Sequence, residues 1–408
     1  MSIRSRPEPV DEKEPDMASS PLASEGTEVA SNAVANEESK LNAISPPPDT
    51  LRGWMVVSSS FILFMLVTGY TNSFGVYLQE YQLHVFPTTP SSTLSWIGSL
   101  QFGFICLFGV VGGVLVEQYK SQIIVAIGGI LMGACLLISS ACNSPIALIF
   151  TQGILFGASG SLVLIPTMSL PGQWMDKYRA LATGITVAGG SIGGLWMSYA
   201  VRALLSSVGY KWALRATALI MMVFSVGLSP LMKKRFELPR RSKIIDFRAL
   251  KSAPFALVFL ATIFAGGAYY MPYYFMTSYS AVVLKLSKNW GANISSMLNA
   301  SSIVGRIATG ILGDRVGTLN TMFVTFLISA VSLFAIWLPF KSLGTLVASA
   351  VVFGIASSSI DTLLPVVTAE LFGIERLSSI LGLMFISYTI GTFISAPVGG
   401  VLLDDYGH

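Results

Sequence analysis

From Trp54 onward the chain alternates between apolar runs of roughly twenty residues and short polar breaks, the spacing expected of helices that cross a bilayer. The runs fall at 54–78, 94–116, 123–142, 146–170, 180–204 and 212–231, then at 254–280, 293–313, 319–339, 343–367 and 378–403, which makes eleven. Ahead of them, residues 1–50 are rich in Ser, Pro, Ala and Glu and hold no apolar run, so they read as a disordered tail. No apolar core follows Arg4 and Arg6, so this is not a cleavable signal. Between the sixth and seventh runs lies the most basic stretch, Lys233-Lys-Arg-Phe-Glu-Leu-Pro-Arg-Arg-Ser-Lys243. The predicted organisation is a cytoplasmic tail (1–50), a six-helix half (51–232), a basic cytoplasmic loop (233–252) and a five-helix half (253–408).

Composition agrees with this pattern. Across 408 residues, 53% are hydrophobic and 11% charged, which excludes a soluble surface and describes a multi-pass, all-α membrane protein. Residues 1–50 carry ten acids against four Lys/Arg, whereas the rest carries 21 Lys/Arg against 11 acids. With the N-terminus cytoplasmic, inner loops collect 14 basic residues and outer loops 6, the asymmetry that the positive-inside rule expects. The basic excess is therefore a topology signal and not a nucleic-acid surface. Cys106, Cys135 and Cys142 have no metal-ligand spacing and read as small core residues. No metal cluster and no phosphate-binding glycine loop occur, so neither a cofactor nor ATP-driven pumping is expected.

One charge interrupts the eighth run. An arginine at membrane depth costs at least ~2.5–3.5 kcal/mol and keeps its proton, so Arg306 should face a wet or protein-lined interior. Helical steps from it pass through Asn299 and Ser302 in one direction and Thr309, Gly310 and Gly313 in the other, a polar and small stripe suited to a cavity wall. The best acidic partner within the runs is Asp361 in the tenth, preceded at helical spacing by Gly354, Ser357 and Ser358. Arg306 would grip an anionic group of a substrate and pair with Asp361 when the site is empty; a permanent structural bridge is the competing reading. Thr68, Asn72, Gly75 and Gln79, in the first run and at its end, and Gln101 in the second, either line the cavity or join helices. Tyr269, Tyr270, Tyr273 and Tyr274 surround Pro272, placed either to stack on a ring-bearing substrate or to form an interfacial belt.

Three run ends echo one another: Val111-Gly-Gly-Val-Leu-Val-Glu-Gln-Tyr119, Gly310-Ile-Leu-Gly-Asp-Arg-Val316 and Val398-Gly-Gly-Val-Leu-Leu-Asp-Asp-Tyr406. Such echoes suit parallel halves built of inverted triplets.

Asn72-Ser-Phe-Gly-Val-Tyr77, Gln173-Trp-Met-Asp-Lys-Tyr-Arg-Ala-Leu-Ala-Thr-Gly184, Ala188-Gly-Gly-Ser-Ile-Gly193, Gly305-Arg306 and Gly313-Asp-Arg315 together resemble the monocarboxylate porter family of the major facilitator superfamily, especially its fungal members. The resemblance spans Asp49 to Gly407 and implies two pseudo-symmetric helical halves with a central cavity. It implies that Gly313, Asp314 and Arg315 form a cytoplasmic gate, of which Glu117 and Lys120 are a weakened copy. The family's fold has twelve spans, so the twelfth is expected to be missing here. The family's lactate carriers place a lysine and an aspartate where this chain has Asn72 and Ser302, which argues against lactate-type proton symport and toward a larger cargo.

The resulting expectation is a secondary transporter of a small organic anion, a vitamin or a secondary metabolite, working by alternating access. Its partners would be the substrate, the lipid bilayer and protons as the coupling ion, without nucleic acid. The plasma membrane is the expected location and the vacuolar membrane the alternative. A non-transporting sensor or an inactive truncated carrier is the other class of reading. An enzyme is not expected, because no nucleophile–base pair is visible.

Overall fold

The structure is a computed structural model that describes residues 46–236, 252–282, 284–285, 288–339 and 342–406. The expected tail through residue 45 and the basic loop over 237–251 lie outside the described residues. Helices follow the apolar runs one for one: α1 (Leu51–Val85), α2 (Thr93–Gln118), α3 (Ser121–Ala141), α4 (Pro145–Trp174), α5 (179–208), α6 (210–228), α7 (Ala253–Val282), α8 (Lys288–Val316), α9 (Thr318–Trp337), α10 (Leu343–Phe372) and α11 (Leu377–Tyr406). No strand occurs among the described residues. Among the described residues, 8 stretches are long and apolar enough to cross a membrane, and one of them, Arg179–Leu231, has 53 residues and contains both α5 and α6.

Among the boundaries that differ from the sequence expectation, two change the picture. The first helix does not stop at residue 78 but continues to Val85, where a wide π-turn over Tyr81–Val85 ends it. The polar break expected between α5 and α6 is no loop: helical residues continue through it, and the chain turns at Gly209 alone, with φ 76° and ψ 170°. That backbone region is essentially restricted to glycine, so one residue makes the turn that a loop was expected to make.

Packing follows the small residues. α1 lies along α5, and α7 lies along α11 in the same way. At Gly193 a Cβ would collide with the Met65 carbonyl oxygen, and at Gly391 with that of Ile263, so both crossings depend on a missing side chain. Two further pairs, α5 with α8 and α2 with α11, join these units.

The far end of α1 is fixed by buried polar groups. Tyr81 Oη donates to Gln152 Oε1 at 2.8 Å, Gln152 Nε2 donates to Tyr70 Oη at 2.7 Å, and Tyr77 Oη is 3.3 Å from Thr217 Oγ1. Pairing these groups removes the cost of burying them in an apolar bundle and ties α1 to α4 and α6.

At the opposite face, where α1 begins, the segment after α6 is strapped down. Arg235, 5% exposed, donates from Nε to the Pro46 carbonyl at 2.8 Å and from Nη1 to that of Gln173 at 3.3 Å. Trp174 Nε1 donates to the Lys233 carbonyl at 2.7 Å, and Ser121 Oγ to that of Met232 at 2.6 Å. The Asp49 carboxylate accepts from the backbone N–H groups of Asp176 and Lys177 at 3.2 and 3.1 Å.

Candidate functional site

Two bare backbones bring the central charges together. At Gly305 a Cβ would collide with the Ile355 carbonyl oxygen, so α8 presses directly against α10 next to Arg306. α10 is interrupted at Ser358, and Asp361 lies in the first turn of its second piece, Ser359–Phe372, where the helix N-terminus favours a carboxylate. On the other side, a Cβ at Gly184 would collide with the Arg306 carbonyl oxygen, so α5 is equally close.

Arg306 spans this crossing. Its Nη2 donates to Asp361 Oδ2 at 2.8 Å, and its Nη1 donates to the Val187 carbonyl of α5 at 2.6 Å. The side chains are 8% and 20% exposed, so the arginine is the deeper partner and the carboxylate the more accessible one. A planar fork can serve two acceptors on two helices at once, which an ammonium does less well.

Above the pair lies a cavity of about 480 Å³. Arg306, Asp361, Asn299, Ser295 and Ser191 supply its polar wall, and Phe64, Phe102, Phe385, Tyr269 and Tyr388 its aromatic wall. Thr68 Oγ1, also on the lining, has no hydrogen-bond partner among the described residues. A second cavity of about 590 Å³ shares Thr71, Asn72 and Phe102 with the first and continues between α1, α2 and α11 away from the strapped face. Toward the strapped face the helices meet. The Asp314 carboxylate accepts from the N–H groups of Ala180 and Leu181, at 2.8 and 2.9 Å, at the start of α5. Glu117 Oε1 accepts from Ser379 N–H at 2.9 Å at the start of α11. Each acid ends one helix and caps the first turn of another, an arrangement that the helix dipole favours.

Of the site residues singled out from sequence, the structure brings Arg306, Asp361 and Asn72 to the cavity. Ser302 is buried just behind it, with its Oγ 2.9 Å from that of Ser191, which does line it. Gln101 is fully buried and donates from Nε2 to Thr71 Oγ1 at 3.3 Å, so it joins α2 to α1 behind the lining. Tyr270 and Tyr274 lie on α7, but their side chains are outside the described residues; Tyr269 of the same cluster reaches the cavity. Gly313 packs beneath Leu363, where a Cβ would sit 2.9 Å from Leu363 Cδ2, while Arg315 is exposed. Sequence reasoning missed Tyr388 and Phe385, although Tyr388, Thr389 and Thr392 give α11 a polar stripe that marks a cavity-facing side. It also underrated Glu117, which makes the same kind of capping contact as Asp314. Among the described residues no group of His, Cys, Asp and Glu side chains could hold a metal ion.

A helical bundle in a membrane, with a polar and aromatic cavity open toward one face and capped helices meeting at the other, is the architecture of a solute carrier. The chain belongs to the Major Facilitator Superfamily, whose sequence profile matches residues 51–340 and 294–407. It is therefore an integral, multi-pass membrane protein of a transporter family. It is 31% identical over 402 residues to the agnestins efflux protein AgnL12 of Paecilomyces divaricatus, covering 96% of this chain and 89% of that protein. It is 29% identical over 364 residues to the aspyridones efflux protein apdF of Emericella nidulans, covering 88% and 74%. Among solved structures it resembles the transporter FucP in its outward conformation, with a TM-score of 0.64 at 16% identity, covering 86% of this chain and 92% of that one.

Proposed function

We propose that the protein exports a small organic anion with an aromatic or apolar body, of the kind represented by fungal secondary metabolites, by alternating access between a half at 51–232 and a half at 253–408. The observation that carries this reading is the Arg306–Asp361 pair at the floor of an aromatic-walled cavity. An entering carboxylate or enolate competes with Asp361 for the guanidinium, while the phenyl and phenol rings bury the rest of the molecule. Thr68 offers a further hydroxyl. The volume of about 480 Å³ suits a drug-sized molecule better than a two- or three-carbon acid. The efflux proteins to which the chain is similar support the direction and the cargo class.

With the N-terminus cytoplasmic, the strapped face is the inner one and the conformation is open outward. Gly313, Asp314 and Arg315, with Glu117, form the inner gate, and the plasma membrane is the location this reading favours. The motif resemblance supports a place beside the monocarboxylate porters, although Asn72 and Ser302 stand where that family's lactate carriers hold the charges that serve proton symport.

Flux of labelled aromatic acids in vesicles holding the full chain, with and without a pH gradient, tests the proposal. Arg306→Lys should lower flux at least about tenfold, since it removes one charge-assisted hydrogen bond worth roughly 1.5–3 kcal/mol. A lysine variant that transports at the parent rate rejects the fork as the substrate grip.

A further inference from the structure

Away from the central cavity, a recess of about 920 Å³ lies at the strapped face between the α2–α3 turn and the segment after α6. Three lysines line it: Lys120 in the turn, and Lys233 and Lys234 in the strap. Lys234 Nζ donates to the Glu117 carbonyl at 2.9 Å, which holds it at the back of the recess, while Lys120 and Lys233 are exposed at its mouth. The one carboxylate on the lining, that of Glu117, faces the start of α11 and accepts from Ser379 N–H. From the lysines the wall continues up α3 into the bilayer as Ile123 and Ile127, 52% and 44% exposed and one turn apart, with Leu162 of α4 beside them.

A basic mouth at the bilayer interface that runs into an apolar wall matches a molecule with an anionic head and a hydrocarbon tail. We propose that this recess seats one anionic membrane phospholipid. Lys120 and Lys233 hold the phosphate, Lys234 closes the back, and one acyl chain lies along Ile123, Ile127 and Leu162. The lysine stems cover apolar surface while their ammonium groups stay at headgroup level. The recess shares no lining residue with the central cavity, so the proposal does not depend on what the carrier moves.

The test uses the full chain in phosphatidylcholine nanodiscs doped with phosphatidylglycerol, followed by native mass spectrometry of the lipid retained after detergent exchange. The parent should retain phosphatidylglycerol in preference to phosphatidylcholine. Lys120→Gln and Lys233→Gln should each cut that preference roughly fivefold, and Lys177→Gln, on the same face but outside the recess, should leave it unchanged. Excess glycerol phosphate should fail to displace the lipid, because it offers the wall no acyl chain. The proposal is overturned if the parent shows no preference, or if Lys177→Gln costs as much as the recess variants, which would mean diffuse surface charge. Displacement by glycerol phosphate would also overturn it, by revealing a site for soluble anions.

Discussion

Arg306 holds two acceptors from different helices, and removing the anionic one isolates a charge that cannot be neutralised. In Asp361→Asn the guanidinium keeps the Val187 carbonyl but loses its counter-ion, and breaking a buried pair in this way costs about 3–5 kcal/mol. The expected outcome is a lower melting temperature of the purified empty protein, together with a larger upward shift than the parent shows when an aromatic carboxylate is added. A purely structural bridge would give the first effect without the second. Much of this was legible in the sequence: a lone arginine in an apolar run announces itself, and few intramembrane acids are available to meet it. The Val187 carbonyl was not legible, since every residue carries that acceptor. Nor was the role of Gln101 or Ser302, because polarity along a helix does not say whether a side chain meets water or another side chain.

At the scale of elements, contact toward the strapped face depends on side chains that are absent. A Cβ at Gly310 would lie 2.7 Å from the Ala180 carbonyl oxygen, so a branched side chain there must push α8 from the start of α5 and lengthen the Asp314 cap. Spin labels at the exposed positions Lys177 and Val316 should report longer distances in Gly310→Val than in the parent. Gly227→Val, where a Cβ meets nothing within 4 Å, should leave the distances unchanged. The apolar runs located every long helix among the described residues, since crossing a bilayer demands about twenty apolar residues in a row. They placed the turn between α5 and α6 within 205–211, but as a loop, because a single glycine with positive φ makes the turn while helical residues continue on both sides.

For the whole molecule, the strap makes the start of the central loop part of the fold. Arg235→Ala would release the exposed Pro46 and leave the buried carbonyl of Gln173 without this donor, at a cost of about 1–3 kcal/mol for a group left unsatisfied. Limited proteolysis should then cut the loop after Phe236 faster than in the parent, with little change in cargo affinity, because the strap lies outside the cavity. The sequence marked this region only as basic. That one of its arginines is buried as a clamp depends on carbonyls about sixty and two hundred residues away in the chain, which no local pattern encodes.

The pairing of Arg306 with Asp361 also has an electrical side. Because the guanidinium brings its own counter-ion, the vacant binding chamber carries no net charge. Once a monoanion enters, it carries one negative charge. Under the proposed cycle the loaded carrier therefore responds to voltage and the empty one does not. An interior-negative membrane potential then drives the loaded step outward, by about 2.3 kcal/mol per 100 mV if the charge crosses the full field.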